Sequence, residues 1–451
     1  MSASKVVCDE CTRADALRAV AGRGLPPIED GMPLPAGTGL SRRGFVARSL
    51  GLALTVYGAG RLDIFDEGIA AAATMPKNPI LVTVFLQGGA DALSLLSPQS
   101  DPLYRKLRPS LAVSGGTVFS EDDRLFWNPA LDPIAQLHDE GKVTVLPAVG
   151  YDHPDQSHFT SRHFWEVGAT DPRLLTGWLG RYLDAVGSPD NPLQGLSLTG
   201  SLEPALATAK VPVAAIDGPG QYDFWSPGVW GQVEDRMLEA IGMLGTAGGH
   251  DAASRTAAKV SAQSATLRRQ LQPFSGQKLT SPVPYPEGDS FTTGLQGLAA
   301  MIAAGLPLRC VALEATGEYD THASQTSALT PALTNTAASL YAFQRDLEAR
   351  GIADRVLTLV WTEFGRRAEE NGSGGTDHGA AGTGFLIGTR VAGTQVGEYP
   401  GLATGLDKDG NLKATSDFRG VYAGLLEQWL HFDAERVLPH SSKFKRPTLV
   451  K

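Results

Sequence analysis

Five stretches of the chain are almost continuously apolar, and four of them are five to eight residues long, which is typical of strands buried on both faces of a sheet. The four are residues 79–86, 143–149, 309–313 and 356–361, and the fifth, residues 385–387, is shorter. Their lengths suit strands better than helices. We therefore predict five strands of a buried sheet.

Amphipathic helical patterns lie between these strands. In residues 334–350, Leu340, Phe343 and Leu347 form an apolar stripe beside charged positions. Residues 159–167, 257–271 and 417–430 are further predicted helices. Strands that alternate with helices predict an α/β fold with a mainly parallel central sheet covered by helices on both sides.

Composition and charge narrow the class of protein. The 451 residues are 42% hydrophobic, enough for a sizeable core, and the net charge is −9. An acidic chain without a basic face does not suit a nucleic-acid binder, so no nucleic-acid partner is predicted. The chain has no apolar run of about 18 residues, the length that spans a bilayer, so we predict no permanent membrane span.

The first 74 residues carry the features of an export leader. An arginine pair in the sequence Ser41-Arg42-Arg43-Gly44-Phe45 precedes a short, mildly apolar stretch at residues 49–57. Four alanines at residues 70–73 form a small-residue cleavage site. Together these resemble a twin-arginine signal; the alternative is a chance arginine pair on a solvated helix. The signal predicts a bacterial periplasmic, extracellular or envelope protein exported by the twin-arginine machinery, with residues 75–451 as a single domain.

The three cysteines do not form a disulfide framework. Cys8 and Cys11 form a lone C-x-x-C motif inside the predicted leader and would be lost on cleavage. Cys310 lies in an apolar run and is predicted to be a small buried hydrophobe.

Polar residues collect where the predicted strands end. Ligands of parallel α/β sheets bind beyond the carboxyl ends of the strands, so these clusters are candidates for one site. They comprise residues 87–91, 150–159, 318–322, 362–367 and 372–379.

Two of these clusters have both a structural and a functional interpretation. Gly88 and Gly89 allow a sharp turn that brings Asp91 to the sheet edge, although a turn carboxylate alone is more often structural. Ser157 precedes the predicted helix at residues 159–167, and Asp155 competes with it as the N-cap. A helix N-terminus favours anions, and a hydroxyl there can act as a nucleophile, so cap and catalysis both stay open.

The histidines favour a metal site. Asp320 and His322 stand two residues apart on one loop and can both reach one divalent ion. Five of the nine histidines fall within or beside the polar clusters, namely residues 153, 158, 163, 322 and 378. Any one of them could be a hydrogen-bonded loop residue, but together they predict a metal site.

Several of these segments resemble a known family. They are Phe85-Leu86-Gln87-Gly88-Gly89-Ala90-Asp91, Ser157-His158-Phe159, Tyr319-Asp320-Thr321-His322, Glu363-Phe364-Gly365-Arg366 and Thr376-Asp377-His378-Gly379. In order and type they resemble the secreted bacterial family catalogued as domain of unknown function 1501, over about residues 78–432. That family resembles the alkaline-phosphatase and sulfatase superfamily, which implies a three-layer α/β/α sandwich.

The resemblance also implies roles for individual residues. Asp91 would be the first metal ligand, Ser157 the nucleophile, and Asp320 and His322 the ligands of another metal. Glu363 would lie where the superfamily has an Asp-His pair, with Phe364 in place of its histidine. His378, with its neighbour Asp377, would be the final histidine ligand, and His158 would be a substitute ligand or a general acid. The implied cofactor is one or two divalent ions of zinc, manganese, iron or calcium.

Arg366 and Arg367 have two interpretations. One of them would face the cleft as an anion clamp, because arginine binds phosphate or sulfate oxygens bidentately. The alternative is a salt bridge to Glu369 or Glu370, which we favour for Arg367.

Three functions follow from these features. The first is an exported metal-dependent hydrolase of phosphate or sulfate esters, with a small molecule or glycan as substrate and Ser157 as attacking group. The second is a catalytically silent relative that binds a ligand in the same cleft. The third is a secreted partner subunit, for which the aromatic segment at residues 222–230 is candidate contact surface.

Overall fold

The computed structural model describes most of the predicted domain and little of the predicted leader. The described residues are 56–57, 78–218, 233, 236–237, 240, 243, 252–274 and 279–451. The arginine pair, the alanines at 70–73, Cys8, Cys11 and the segment at 222–230 lie outside them, so the export signal and the partner surface stay predictions.

Thirteen strands are formed by the described residues. They are β1 Val56–Tyr57, β2 Ile80–Phe85, β3 Leu96–Ser97, β4 Phe126–Trp127, β5 Val143–Gly150, β6 Gly195–Ser197, β7 Val213–Ala215, β8 Cys310–Glu314, β9 Val356–Trp361, β10 Arg366–Glu370, β11 Thr376–His378, β12 Gly382–Ile387 and β13 Ser416–Asp417.

The α-helices of the described residues cover both faces of the main sheet. They are α1 Ala92–Leu95, α2 Tyr104–Leu107, α3 Asp132–Asp139, α4 His158–Val167, α5 Trp178–Val186, α6 Ala252–Leu271, α7 Ser290–Ala303, α8 Gln325–Ala349 and α9 Phe418–Gly424, which continues as a π-helical segment, Leu425–Trp429.

One sheet of nine strands forms the centre, in the order β1-β7-β6-β8-β2-β9-β12-β5-β13. Strand β2 lies in the middle and pairs in parallel with β8 and β9. Strand β12 runs antiparallel to both of its neighbours, β9 and β5. The sheet is therefore mainly parallel, with a reversed strand inside it.

Two hydrophobic cores lie on opposite faces of this sheet, as the alternation along β2 shows. Ile80, Val82 and Val84 pack into one core, together with apolar residues of α3, α7 and α8. Leu81 and Phe85 pack into the other core, with residues of α4, α5 and α9. The prediction of an α/β/α sandwich with a mainly parallel sheet is confirmed.

The predicted helices differ from the observed ones mainly at their amino ends. Helix α8 begins at Gln325, nine residues before the predicted start, and continues through Pro331. Proline commonly marks a helix boundary, so the pattern alone hides the first turns of this helix. Within the part of the chain that the structure describes, no helix has the length and hydrophobicity to cross a bilayer.

Candidate metal centre

Loops from several strands meet at one edge of the sheet. The carboxyl ends of β2, β8 and β9 lie together because these strands are parallel neighbours. Strand β12 runs the other way, so its amino end, and the short strand β11 before it, lie at the same edge. This reversal brings His378 to loops that follow the parallel strands.

Asp320 is the centre of the site. Its Oδ1 lies 3.2 Å from Nε2 of His322 and 3.4 Å from Nε2 of His378, and its Oδ2 lies 3.4 Å from Nε2 of His158. The Nε2 atoms of His322 and His378 are 2.9 Å apart. One ligand atom from each of His158, Asp320 and His378 fits within 4.8 Å of the others, the spacing of a metal-binding group.

The second ring nitrogen of each histidine faces an acceptor. Nδ1 of His158 lies 2.8 Å from Oε1 of Glu363, and Nδ1 of His378 lies 2.8 Å from the carbonyl oxygen of Gln156. Nδ1 of His322 lies 3.5 Å from Oδ1 of Asp377. In the metal-binding state, a proton on Nδ1 of each ring would leave the lone pair of Nε2 for a cation on the side of Asp320.

Glu363 is held next to His158 by several hydrogen bonds. It is buried, and it accepts hydrogen bonds from the backbone N–H groups of Gly88 and Gly89, each at 3.0 Å. These glycines have φ values of +124° and +73°, and a Cβ on Gly88 would lie 2.5 Å from the nitrogen of Asp320. The glycine turn after β2 therefore lets the Asp320 loop approach closely and holds Glu363 beside it.

The charges of the site are strongly coupled. Burial alone would raise the pKa of Asp320, but the three imidazoles and the Arg366 guanidinium lower the pKa well below its usual range. Burial lowers the pKa of His158, yet the carboxylates of Asp320 and Glu363 outweigh it and raise the pKa to about 9. The pKa of His378 is lowered by burial and by the neighbouring charges of Arg366 and His158. Without a cation, the ionised carboxylate of Asp320 thus faces a protonated imidazole of His158.

The donor atoms fit a divalent cation. Nε2 of His158 is buried and forms no hydrogen bond with the described residues, although Oδ2 of Asp320 lies 3.4 Å away. Two Nε2 atoms 2.9 Å apart, each with its proton on the far nitrogen, would repel each other without a proton or a cation between them. Imidazole nitrogens with one carboxylate suit zinc, manganese or iron better than calcium, which prefers all-oxygen sites.

Asp91 lies outside this centre. It is fully buried, and its two oxygens form a bidentate ion pair with Arg108, also fully buried. Ser94 Oγ and Gln325 Nε2 donate to it at 2.6 and 2.7 Å. Both oxygens are thus engaged by protein donors, and the structure does not bring Asp91 into the group of His158, Asp320 and His378, where its predicted ligand role would place it.

Arg366 is also buried, and its donors are all engaged. It donates to the carbonyl oxygens of Gly88, Gly89 and Thr376 and pairs with the carboxylate of Asp320. It therefore ties together the three loops that form the centre. This arrangement differs from the predicted anion clamp at the cleft, because no part of the guanidinium is exposed.

Ser157 occupies the N-cap position of α4, directly before His158. Its backbone N–H donates to Oδ1 of Asp155 at 2.8 Å, and its side chain forms no capping hydrogen bond. The two predicted N-cap candidates thus share the start of the helix. Ser157 occupies the N-cap position, and the side chain of Asp155 makes the hydrogen bond to the backbone. His153 is exposed and His163 is buried elsewhere on α4, so neither contacts the described centre.

An open cavity of about 580 Å³ adjoins the centre, and His322 and His378 form part of its wall. The other described residues of the wall are Gln156, Arg367, Asn371, Gly372, Ser373 and Asp377. The ring of Phe364 packs 4.9 Å from that of His158 and 4.7 Å from that of His378. A polar ligand can therefore approach the two histidines from one side, while an apolar ring shields them on another.

Several interactions in and around the site were not predicted from the sequence. Arg108 and Gln325 hold Asp91, and the carbonyl of Gln156 fixes the tautomer of His378. Arg108 follows a short helix in a loop-rich segment, and no sequence pattern marks its partner. Gln156 acts through its backbone, so its side-chain type carries no signal.

A family model described as protein of unknown function (DUF1501) matches residues 167–437, more than half of the chain. No curated protein matches the chain significantly.

Solved structures with similar folds share little sequence with this chain. An alkaline phosphatase superfamily protein from Vibrio parahaemolyticus is 11% identical, with 81% of this chain and 68% of that chain covered and a TM-score of 0.32. The C-terminal periplasmic domain of EcEptC from Escherichia coli, in complex with zinc, is 9% identical, with coverage of 83% and 92% and a TM-score of 0.36. The lipoteichoic acid synthase LtaP from Listeria monocytogenes is 6% identical, with coverage of 80% and 74% and a TM-score of 0.33.

Proposed function

The chain belongs to the DUF1501 family of proteins of unknown function, and from its site we propose a metal-dependent hydrolase of phosphate or sulfate esters. The observation that carries the proposal is the convergence of three imidazole Nε2 atoms on the carboxylate of Asp320 beside an open polar cavity. A site with several neutral nitrogen donors and a single carboxylate is a common arrangement for a catalytic cation.

His158, Asp320, His322 and His378 would hold the cation, and Glu363 and Asp377 would act through His158 and His322. A bound divalent cation would supply Lewis-acid chemistry and lower the pKa of a hydroxyl or water beside it. Glu363 keeps the Nδ1 proton of His158 in place, and the Gln156 carbonyl does the same for His378. We propose one metal rather than two, because Asp91, the predicted ligand of a further metal, forms an ion pair with Arg108.

Ser157 is the proposed nucleophile. It lies next to His158 at the N-terminus of the ten-residue helix α4, and no capping contact occupies its hydroxyl. Backbone N–H groups at that end favour a negatively charged substrate group. Attack by Ser157 Oγ on phosphorus or sulfur would form an ester to the serine and release the alcohol, and water would then cleave that ester.

Export by the twin-arginine route is part of the proposal, and it would place the enzyme in the periplasm or outside the cell. Replacing Arg42 and Arg43 with lysine should retain the protein in the cytoplasm, which cell fractionation would detect. Equal export of the wild-type and variant chains would refute this route.

Ester hydrolysis by the zinc- or manganese-loaded chain tests the proposal. We expect release of inorganic phosphate or sulfate from 4-nitrophenyl and sugar esters, loss of turnover in Ser157→Ala with metal retained, and unchanged turnover in the exposed control Ser327→Ala. Metal binding without turnover of any ester would favour the alternative, a catalytically silent ligand-binding protein. Activity of Ser157→Ala equal to the wild type would exclude the serine mechanism.

A further inference from the structure

Arg367 interacts electrostatically with Asp377, but no carboxylate of the described residues forms a direct ion pair with it. Arg367 lines the cavity together with His322 and His378. Its Nε is buried and has no hydrogen-bond partner. A buried donor without a partner destabilises the protein, and the cost is greater for a charged group. The side chain therefore has unused hydrogen-bonding capacity beside the centre.

The backbone at Arg367 is held by hydrogen bonds from the buried side chain of Arg108. Its carbonyl oxygen accepts a hydrogen bond from Nη2 of Arg108 at 2.9 Å, and Arg108 Nε donates to the next carbonyl, that of Ala368. Arg108 is in turn held by Asp91. This buried ion pair positions the strand that presents Arg367, which gives Asp91 a link to the cavity without contact to it.

The neighbouring polar groups of the cavity wall are already engaged. Asn371 accepts hydrogen bonds from the N–H groups of Ser373 and Gly375 and donates to Oδ1 of Asp377 and the carbonyl oxygen of His322. Asp377 also faces Nδ1 of His322 at 3.5 Å. Asn371 and Asp377 thus organise the loop and the imidazole. Asp377 also attracts Arg367 electrostatically, but no hydrogen bond joins them, so the guanidinium can still bind a ligand.

We infer that Arg367 binds the tetrahedral oxyanion of the ligand, a phosphate or sulfate group, and so determines specificity for anionic esters. The inference rests on the proposed function, since it places that anion next to the histidines that would hold the metal. The planar guanidinium matches two oxygens of such a group bidentately. Arg366 does not serve this role because its donors bind backbone carbonyls and Asp320.

Calorimetric titration with inorganic phosphate and with inorganic sulfate tests the inference on the full chain, both chelator-treated and zinc-loaded. Arg367→Gln should weaken anion binding by about 10- to 100-fold, the range for losing a hydrogen bond to a charged group. Arg390→Gln is the matched control, because Arg390 is exposed beyond the carboxyl end of β12, about 20 Å along the strand from the site edge. Its anion affinity should equal that of the wild type.

Arg367→Lys keeps the positive charge and tests the inference if the glutamine variant does not fold. It should bind the anion several-fold more weakly than the wild type, because lysine lacks the planar fork. Equal affinity of Arg367→Gln and the wild type, or no anion binding by the wild type, would overturn the inference. Stronger binding of one anion than of the other would identify the class of ester and would support the inference.

Metal analysis of the same samples separates this inference from the proposed function. Anion binding that depends on Arg367 in a chain that takes up no metal would refute the hydrolase and keep the inference. Metal uptake with anion binding independent of Arg367 would refute the inference and keep the metal centre.

Discussion

His158 and Glu363 form a hydrogen bond of 2.8 Å between Nδ1 and Oε1, and this contact directs the free nitrogen of the imidazole toward Asp320. The two residues come from different elements, the start of α4 and the loop after β9. Glu363 is itself fixed by the backbone of Gly88 and Gly89. A buried carboxylate that was predicted to bind metal directly thus forms a hydrogen bond to an imidazole of the centre instead.

Glu363→Gln should weaken metal binding without abolishing it. Loss of the carboxylate removes the charged acceptor that orients His158, and such substitutions commonly lower metal affinity by about 10- to 100-fold. Competition with a chromogenic zinc chelator measures the affinity. The control is Glu370→Gln, since Glu370 accepts hydrogen bonds from Ser110 and Leu111 away from the centre. Equal affinities of the two variants would contradict the role of Glu363.

Asp91→Asn should destabilise the fold and leave the metal stoichiometry unchanged. The substitution leaves Arg108 buried without its charge partner, and breaking a buried pair in this way costs about 3–5 kcal/mol. Urea denaturation measures the loss, and elemental analysis counts the metal.

A double variant, Asp91→Leu with Arg108→Met, removes both charges and should be more stable than Asp91→Asn. If Asp91→Asn instead keeps its stability and loses its metal, Asp91 is a ligand after all.

Gly88→Ala should disturb the metal centre, and Gly410→Ala should not. Both glycines have positive φ, +124° and +82°, so alanine is strained at either position. Only at Gly88 does the added Cβ meet another loop, 2.5 Å from the nitrogen of Asp320, while no atom lies within 4 Å at Gly410. Zinc affinity of the two variants is the readout, and a similar loss in both would show that strain alone is responsible.

The pH dependence of the metal-free protein should follow His158. Its pKa in the folded chain is raised to about 9, above the ordinary value of 6.5. Its contribution to stability is therefore complete below about pH 6.5 and is lost as the pH rises through about 9. The free energy of unfolding should fall across this window, and His158→Gln should flatten the fall. A wild-type profile identical to that of His158→Gln would contradict the coupling.

Metal binding should have the opposite pH dependence. The cation displaces the proton from His158, so zinc affinity should rise between about pH 6.5 and 9 and binding at neutral pH should release about one proton. Calorimetry in two buffers of different ionisation enthalpy counts the released protons. Zinc binding that releases none would contradict the assignment of His158 as a ligand.

The sequence was sufficient to predict five strands of the central sheet and four of the helices that pack on it. The apolar runs predict the buried strands because strands covered on both faces need apolar side chains at every position. They do not give strand direction, so the reversal of β12, which brings His378 to the site, is visible only in the structure. The early start of α8 at Gln325 was likewise hidden by Pro331.

The sequence predicted several residues of the site but not the hydrogen bonds and ion pairs that connect them. Asp320, His322 and His378 were identified because metal-binding residue types follow or precede strands at one edge. The distinction between Arg366 and Arg367 depends on which face of β10 each side chain takes, and successive side chains of a strand point to opposite faces. The partnership of Asp91 with Arg108 and that of Glu363 with His158 depend on tertiary packing, for which the sequence has no local signal.

Elemental analysis of the full chain, purified without a metal-binding tag and reconstituted with zinc, manganese or iron, tests the metal centre most directly. We expect about one equivalent of bound metal in the wild type and loss of that metal in Asp320→Asn and His378→Ala. His153→Asn, at an exposed histidine with φ of +55° that asparagine tolerates, should keep it. A wild-type chain that takes up no metal, or variants that bind as much as the wild type, would contradict the account.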